Sequence, residues 1–143
     1  MKISKVRNVK TPQRGTPESA GIDFFVPDGI IANLSPGQSC LIPSGIKANV
    51  PPGYALVAFN KSGVAVKKQL YAGACVVDED YQGEIHINLT NVGNNSVEIN
   101  SGEKIIQFVL LPVFYDTIEE VDIENLYEEE TTRGEGGFGS TGV

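Results

Sequence analysis

An apolar pair running into acids, Val76-Val-Asp-Glu-Asp-Tyr-Gln-Gly-Glu84, is the stretch of this chain with the clearest means for proton chemistry. A carboxylate at the point where a strand gives way to a turn loses part of its hydration. Asp78, the first of three acids, is therefore expected to be the least solvated and the best suited to take a proton from water. Glu79 is expected to look outward and Asp80 to close the turn. Tyr81 adds an apolar ring with a polar tip. A second stretch ends the sequence: Arg133-Gly-Glu-Gly-Gly-Phe-Gly-Ser-Thr-Gly-Val143, with five glycines among its first ten residues. Glycine loses the most backbone entropy on ordering, so such a tail holds no fixed shape unaided. Taken alone it reads as a disordered terminus. Its other groups nevertheless suit an anionic ligand that carries a ring. Arg133 matches phosphate, Phe138 can stack, and bare amides can wrap phosphate oxygens.

The elements that must position these groups are short strands. Apolar runs punctuated by Gly and Pro occur at 21–26, 29–34, 39–42, 46–50, 54–59, 84–90, 97–99 and 104–112. In Glu84-Ile-His-Ile-Asn-Leu-Thr90 apolar and polar residues alternate strictly, the signature of a strand with one buried face. No sustained helical period is visible. Residues 116–130 offer at most a turn of helix, because Val121, Ile123 and Leu126 are sparse. Many short strands at close spacing predict an all-β chain, an antiparallel sandwich of the jelly-roll kind.

The composition agrees. Of 143 residues, 16 are Gly and 8 Pro, Trp is absent, and the apolar and charged fractions are 41% and 20%, which excludes collagen-like, membrane-spanning and disordered classes. One domain of this size can bury enough surface to dispense with metal or disulfide staples. The formal charge of −7 argues against nucleic acid and anionic membrane as partners. Small anionic ligands stay open. Five of the eleven bases fall in the first fourteen residues, whereas 116–130 carries eight acids and no base. Cys40 and Cys75 stand 35 positions apart without metal-binding spacing. With no 7–15-residue apolar run near the amino end, no secretory signal is visible. The expected setting is an intracellular, reducing one, with both thiols buried and reduced.

Five segments in fixed order carry a family resemblance: Ala20-Gly-Ile-Asp-Phe24, Lys61-Ser-Gly-Val-Ala65, Val76 to Glu84, Gly102-Glu-Lys-Ile-Ile-Gln-Phe108, and the tail from Arg133. Together they closely resemble the five motifs of the homotrimeric dUTPases, and the resemblance covers essentially the whole chain. It implies a jelly-roll trimer with shared active sites, residues 1–132 forming the catalytic body and 133–143 a mobile lid. It implies hydrolysis of dUTP to dUMP and pyrophosphate with Mg²⁺ held mainly by the substrate's phosphates, which keeps uracil out of DNA and supplies dUMP for thymidylate synthesis.

The resemblance also assigns roles. Asp78 would hold the water that attacks the α-phosphorus, and Tyr81 would pack under the deoxyribose and leave no room for a 2′-hydroxyl. Val76 and Val77 would line the nucleoside. Lys61, Ser62 and Gly63 would contact the phosphates, with Asp23 supporting them from behind and Gln107 donating to phosphate oxygens. Arg133 would reach the γ-phosphate and Phe138 cover the uracil, with Gly139, Ser140 and Thr141 completing the closed lid. Lysine stands at 61 and 104 where the family usually has arginine, so a forked contact becomes a point contact. The segment 67–75 lacks the asparagine usual in the base-binding hairpin, reads as a shorter loop, and ends in Cys75 where glycine is common. Its Ala-Gly residues still suit backbone recognition. Two rival readings are a deoxycytidine triphosphate deaminase or bifunctional relative on the same fold, and a regulatory module that binds a partner protein with nucleotide as its switch. The tail speaks against the first and the full set of catalytic residue types against the second.

Overall fold

The computed structural model describes residues 1–140 and 142. Twelve strands build it: β1 (Lys2–Lys5), β2 (Gln13–Arg14), β3 (Ile22–Phe25), β4 (Ala32–Leu34), β5 (Ser39–Pro43), β6 (Ile46–Asn49), β7 (Tyr54–Phe59), β8 (Leu70–Ala72), β9 (Val76–Val77), β10 (His86–Asn91), β11 (Val97–Ile99) and β12 (Lys104–Pro112). Pairing is antiparallel throughout. The largest sheet runs β2-β3-β12-β7-β9, and three smaller ones are β5-β10-β8, β1-β6 and β11-β4. All four contribute to one apolar core, which includes Phe24, Leu56 and Phe108 from the large sheet, Ile42, Leu70 and Leu89 from the second, Ile46, and Ile99. The expected all-β, jelly-roll-like fold is what the chain adopts.

Eight strands read from the sequence are present, with ends moved by up to three residues. The apolar pair expected to run as strand into the acids is β9, and the three that sequence patterning does not mark, β1, β2 and β8, are two to four residues long, too short for alternation to show. A helix was not expected either, yet α1 spans Ser62–Lys68. Its seven residues make two turns, bury none of their side chains and so carry no apolar stripe. Its ends hold it. Gln69 stops it in the left-handed region at φ 52°, and Lys67 and Lys68 face the negative end of the helix dipole. Lys68 also pairs with Glu103 and donates to the Glu98 carbonyl at 3.0 Å. Residues 116–130 contain a single 3-10 turn, Ile123–Asn125.

At the centre of the large sheet β12 carries a bulge. Lys104 faces Phe25, but Ile106 faces Phe24, so Ile105 is the inserted residue. Both isoleucines are buried, and alternation then resumes with Phe108 inward and Gln107 on the opposite face. The Phe24 and Phe108 rings lie 4.5 Å apart between centroids, tilted by 50°. Among buried polar groups Asn91 is fully bonded, donating to Leu34 and Asn95 carbonyls and accepting from the Gly93 N–H.

One polar clasp joins the amino end to the start of β10. Arg7 grips Glu84 with Nε at 2.7 Å and a second guanidinium nitrogen at 3.1 Å, and the Gly45 N–H donates to the same carboxylate at 2.8 Å. Gly45 sits at φ 74°, where a Cβ would also meet Val9 at 2.9 Å, so the turn between β5 and β6 requires glycine. The two thiols are free and half-buried. Burial pushes the Cys40 thiol up. No described helix is long and apolar enough to cross a membrane.

The Arg7 hydrogen bond holds the Glu84 carboxyl below the usual carboxylate range, outweighing the opposing effect of desolvation. A carboxyl depressed on folding adds stability above its unfolded value of about 4.3 and loses it as pH falls through the folded value. Glu84→Gln should therefore lower the melting temperature most at neutral pH, with the gap to the parent closing below roughly pH 4. Calorimetric scans across that range check this; a gap independent of pH would show that the carboxylate's charge is not what holds the clasp.

Candidate active site

The site is built where β7 ends at Phe59, beside Asp23 of β3 and Gln107 of β12. β12 places Gln107 opposite both Asp23 on β3 and Phe59 on β7. Residues directly opposite in an antiparallel pair share a face, so Asp23 and Gln107 emerge side by side. Gly21 makes room for them: a Cβ there would lie 2.0 Å from the Gln107 side-chain oxygen. Gln107 donates to the Asn60 carbonyl at 2.9 Å.

Asp23 is buried, at 5% exposure, and takes two lysines. Lys61, the residue that precedes α1, pairs with its Oδ1, and Lys104 lies 3.4 Å from Oδ2. Each makes one point contact where an arginine would make a fork. A buried carboxylate is tolerated here because each oxygen has a cation. Ser62 and Gly63 open α1 and are exposed beside this cluster.

Asn60 is a residue that the sequence reading missed. Its side-chain oxygen accepts the Ala72 N–H at 2.8 Å, so it ties the entry to α1 to strand β8 across the segment 61–71. The visible signal was a polar residue closing the apolar run of β7, directly before Lys61-Ser-Gly.

β9 pairs Val76 with Val57 and Val77 with Leu56, and the Ala58 N–H donates to the Cys75 carbonyl at 2.7 Å. Beyond it a turn closes from the Tyr81 N–H to the Asp78 carbonyl at 3.2 Å. A cavity of about 160 Å³ opens here, bounded by Val76, Val77, Asp78, Tyr81, His86 and Phe108 among others. Asp78, Tyr81 and both valines are thus brought together, and Phe108 stands next in sequence to Gln107.

The acids of the turn do not rank as expected. Asp78 and Asp80 are exposed, and Glu79 is the half-buried one. Nor does Glu79 look outward: the turn swings it back so that its carboxylate accepts the Gly53 N–H and the Tyr115 hydroxyl, the latter at 2.8 Å. That bond pushes the Tyr115 hydroxyl up from its ordinary range. The Tyr81 hydroxyl is not left to solvent, since it donates to the Glu84 carbonyl at 2.9 Å.

The tail stays apart from the cavity. Arg133 Nε donates to the Gly136 carbonyl at 2.8 Å, Phe138 is fully exposed at φ 48°, and Gly139 and Ser140 are exposed. Thr141 lies outside the described residues.

The sequence pattern of the dUTPase family matches residues 7–142. The deoxyuridine 5'-triphosphate nucleotidohydrolase of Candida albicans is 39% identical over 133 residues, which take in 93% of this chain and 81% of that protein. Among solved structures, the dUTPase of Staphylococcus bacteriophage 80alpha with dUPNHPP is 26% identical, superposes with a TM-score of 0.88 and is covered to 98% by 99% of this chain. A dUTPase variant from phage phi11 of S. aureus, solved with a structural Mg(II) ion, has a TM-score of 0.76 at 22% identity, over 86% of this chain and 97% of that one.

Asn60→Ala should leave the Ala72 N–H unpaired and destabilise the fold by about 1–2 kcal/mol. Urea denaturation measures this, and an unchanged midpoint would mean that water replaces the lost oxygen.

Proposed function

The chain belongs to the dUTPase family and hydrolyses dUTP to dUMP and pyrophosphate, and we propose that Asp78 is the base that holds and deprotonates the attacking water. The observation that carries this reading is the small cavity in which an exposed carboxylate and a tyrosine ring meet, one residue along β12 from the Asp23, Lys61 and Gln107 cluster. A nucleoside seated against Tyr81, Val76 and Val77 would direct its phosphates toward Lys61, Ser62, Gly63 and Gln107. Asp78, between the two, would then aim a water in line with the α-phosphorus, with pyrophosphate leaving on the far side. The ring of Tyr81, held at its hydroxyl by Glu84, fits the role of a flat floor under a deoxyribose.

Among the described residues no group of three or more acidic, histidine or cysteine side chains is arranged to hold a metal. Mg²⁺ in this reading would be held by the triphosphate's own oxygens, where it would offset their charge. Asp23 would act from behind, by fixing the two lysines.

The lid follows from residues 133–143. Arg133 would meet the terminal phosphate, Phe138 would cover the base, and Gly139, Ser140 and Thr141 would pack around the phosphates and exclude water. Residues 1–132 would then be the catalytic body. A homotrimer with shared sites is supported by the apolar residues exposed after β12, among them Phe114, Ile118, Ile123 and Tyr127. The deaminase and regulatory readings find no support among the relatives, which are named as nucleotidohydrolases.

Asp78→Asn is expected to cut turnover by about a hundredfold or more while nucleotide binding persists, as the loss of a general base requires. Pyrophosphate release and calorimetric titration with a non-hydrolysable analogue separate the two, and near-normal turnover would refute the assignment. Deleting residues 133–143 should leave a folded trimer by light scattering with very little activity. Full activity in the shortened protein would remove the lid from the mechanism.

A further inference from the structure

Asp78 stands on slight support. Strand β9, which leads into it, is two residues long and lies at the edge of the large sheet, paired to β7. The turn beyond adds one backbone bond, from the Tyr81 N–H to the Asp78 carbonyl at 3.2 Å, and Asp78 itself is exposed. Short edge structure of this kind opens readily, with few buried contacts to resist it. A group that must aim a water at a phosphorus needs a firmer mount.

The neighbouring acid supplies one. Of the three acids in the turn, Glu79 alone gives up much of its hydration, and two donors replace it. Both bonds end on the same oxygen, Oε2, which accepts the Gly53 N–H and the Tyr115 hydroxyl. Gly53 lies in the turn that opens β7, closed by the Tyr54 N–H on the Pro51 carbonyl at 3.1 Å, and its own carbonyl accepts the Val113 N–H at 2.9 Å. That bond continues the β7–β12 ladder, which runs from Phe59 opposite Gln107 to Tyr54 opposite Pro112. Tyr115 stands just beyond, where the chain leaves β12. Gly53 and Tyr115 are therefore neighbours because the two central strands pair, and Glu79 spans both.

We propose that Glu79 is a positioning residue for the hydrolysis, its carboxylate locking the Asp78 turn onto the adjoining ends of β7 and β12. The inference rests on the reading of Asp78 as the base and adds the group that holds that base in place. In this role Glu79 touches neither the substrate nor the attacking water, and acts through the backbone it shares with Asp78. It is needed as an acceptor oxygen rather than as a charge, since a carboxamide oxygen also has two lone pairs and can take both donors.

The test is steady-state hydrolysis of dUTP by Glu79→Ala, Glu79→Gln and Tyr115→Phe, each shown to be folded by circular dichroism. Glu79→Ala should lower kcat by about tenfold or more with KM changed less than about twofold, the mark of a misplaced catalytic group. Glutamine should restore kcat to within about threefold of the parent, and Tyr115→Phe, which keeps the Gly53 bond, should fall between alanine and glutamine. The decisive measurement pairs Glu79→Ala with Asp78→Asn. A residue that works through Asp78 costs nothing further once Asp78 is disabled, so the double variant should turn over at the rate of Asp78→Asn alone. Multiplied losses in the double variant, a Glu79→Ala enzyme that loses thermal stability but keeps its kcat, or glutamine as poor as alanine would each overturn the inference. Should the alanine variant not fold, an unchanged kcat in Tyr115→Phe overturns it as well. Near-normal turnover by Asp78→Asn alone would instead remove the reading of Asp78 as the base, and with it the role given to Glu79.

Discussion

Everything at the site hangs on the register of β12 between β3 and β7. A strand's faces alternate with period two, so a slip of one residue would turn Gln107 into the core and expel Ile106 and Phe108. The Phe24–Phe108 contact resists that slip, because two of the largest fully buried side chains would have to give up their packing. The bulge at Ile105 makes the register possible: it lets two successive isoleucines be buried and then restores the alternation that sets Gln107 beside Asp23. Apolar packing on one side of the sheet thus fixes the polar geometry on the other.

Glu84 extends the same logic to the cavity. Its carboxylate is tied to Arg7 and Gly45, which lie far away in the sequence, and its carbonyl holds Tyr81 and His86. The amino-terminal segment therefore braces the cavity beside Asp78 through Glu84. Side chains on a turn would otherwise sample many rotamers. Here the turn after β9 is braced by Glu84 at one end and by Glu79, through Gly53 and Tyr115, at the other.

Much of this was legible in the sequence. Long strands declared themselves by alternation and by Gly/Pro punctuation, and β7, β11 and β12 have the bounds that the pattern gives. The five motifs pointed to the residues that meet at the cavity and at Asp23. What escaped was set by contacts distant in the sequence. α1 carries no apolar stripe, so nothing periodic announces it, and β8 exists only because β10 pairs with it. Glu79 was read as outward because local hydration suggests it, but Gly53 and Tyr115, respectively 26 and 36 residues away, draw it in. Asn60 carries no motif of its own, and its role is defined by Ala72 and Gln107, which only the fold brings near.

The charge at the site explains why a tail should be needed at all. The chain is acidic overall, and the two lysines beside the proposed phosphate positions are already balanced in part by Asp23. That leaves little net positive charge to hold a triphosphate. The acids of 116–130 cannot help, and they stand between the body and the tail. In the proposed reading the missing charge arrives from two mobile sources, Mg²⁺ travelling with the substrate and Arg133 at the base of the glycine-rich segment. A body made strongly basic in advance would attract any polyanion, nucleic acid included. Keeping the cationic group on a segment that orders only around the correct ligand would, in that reading, confine strong binding to a nucleotide that both fits the cavity and leaves room for Phe138 to close over it.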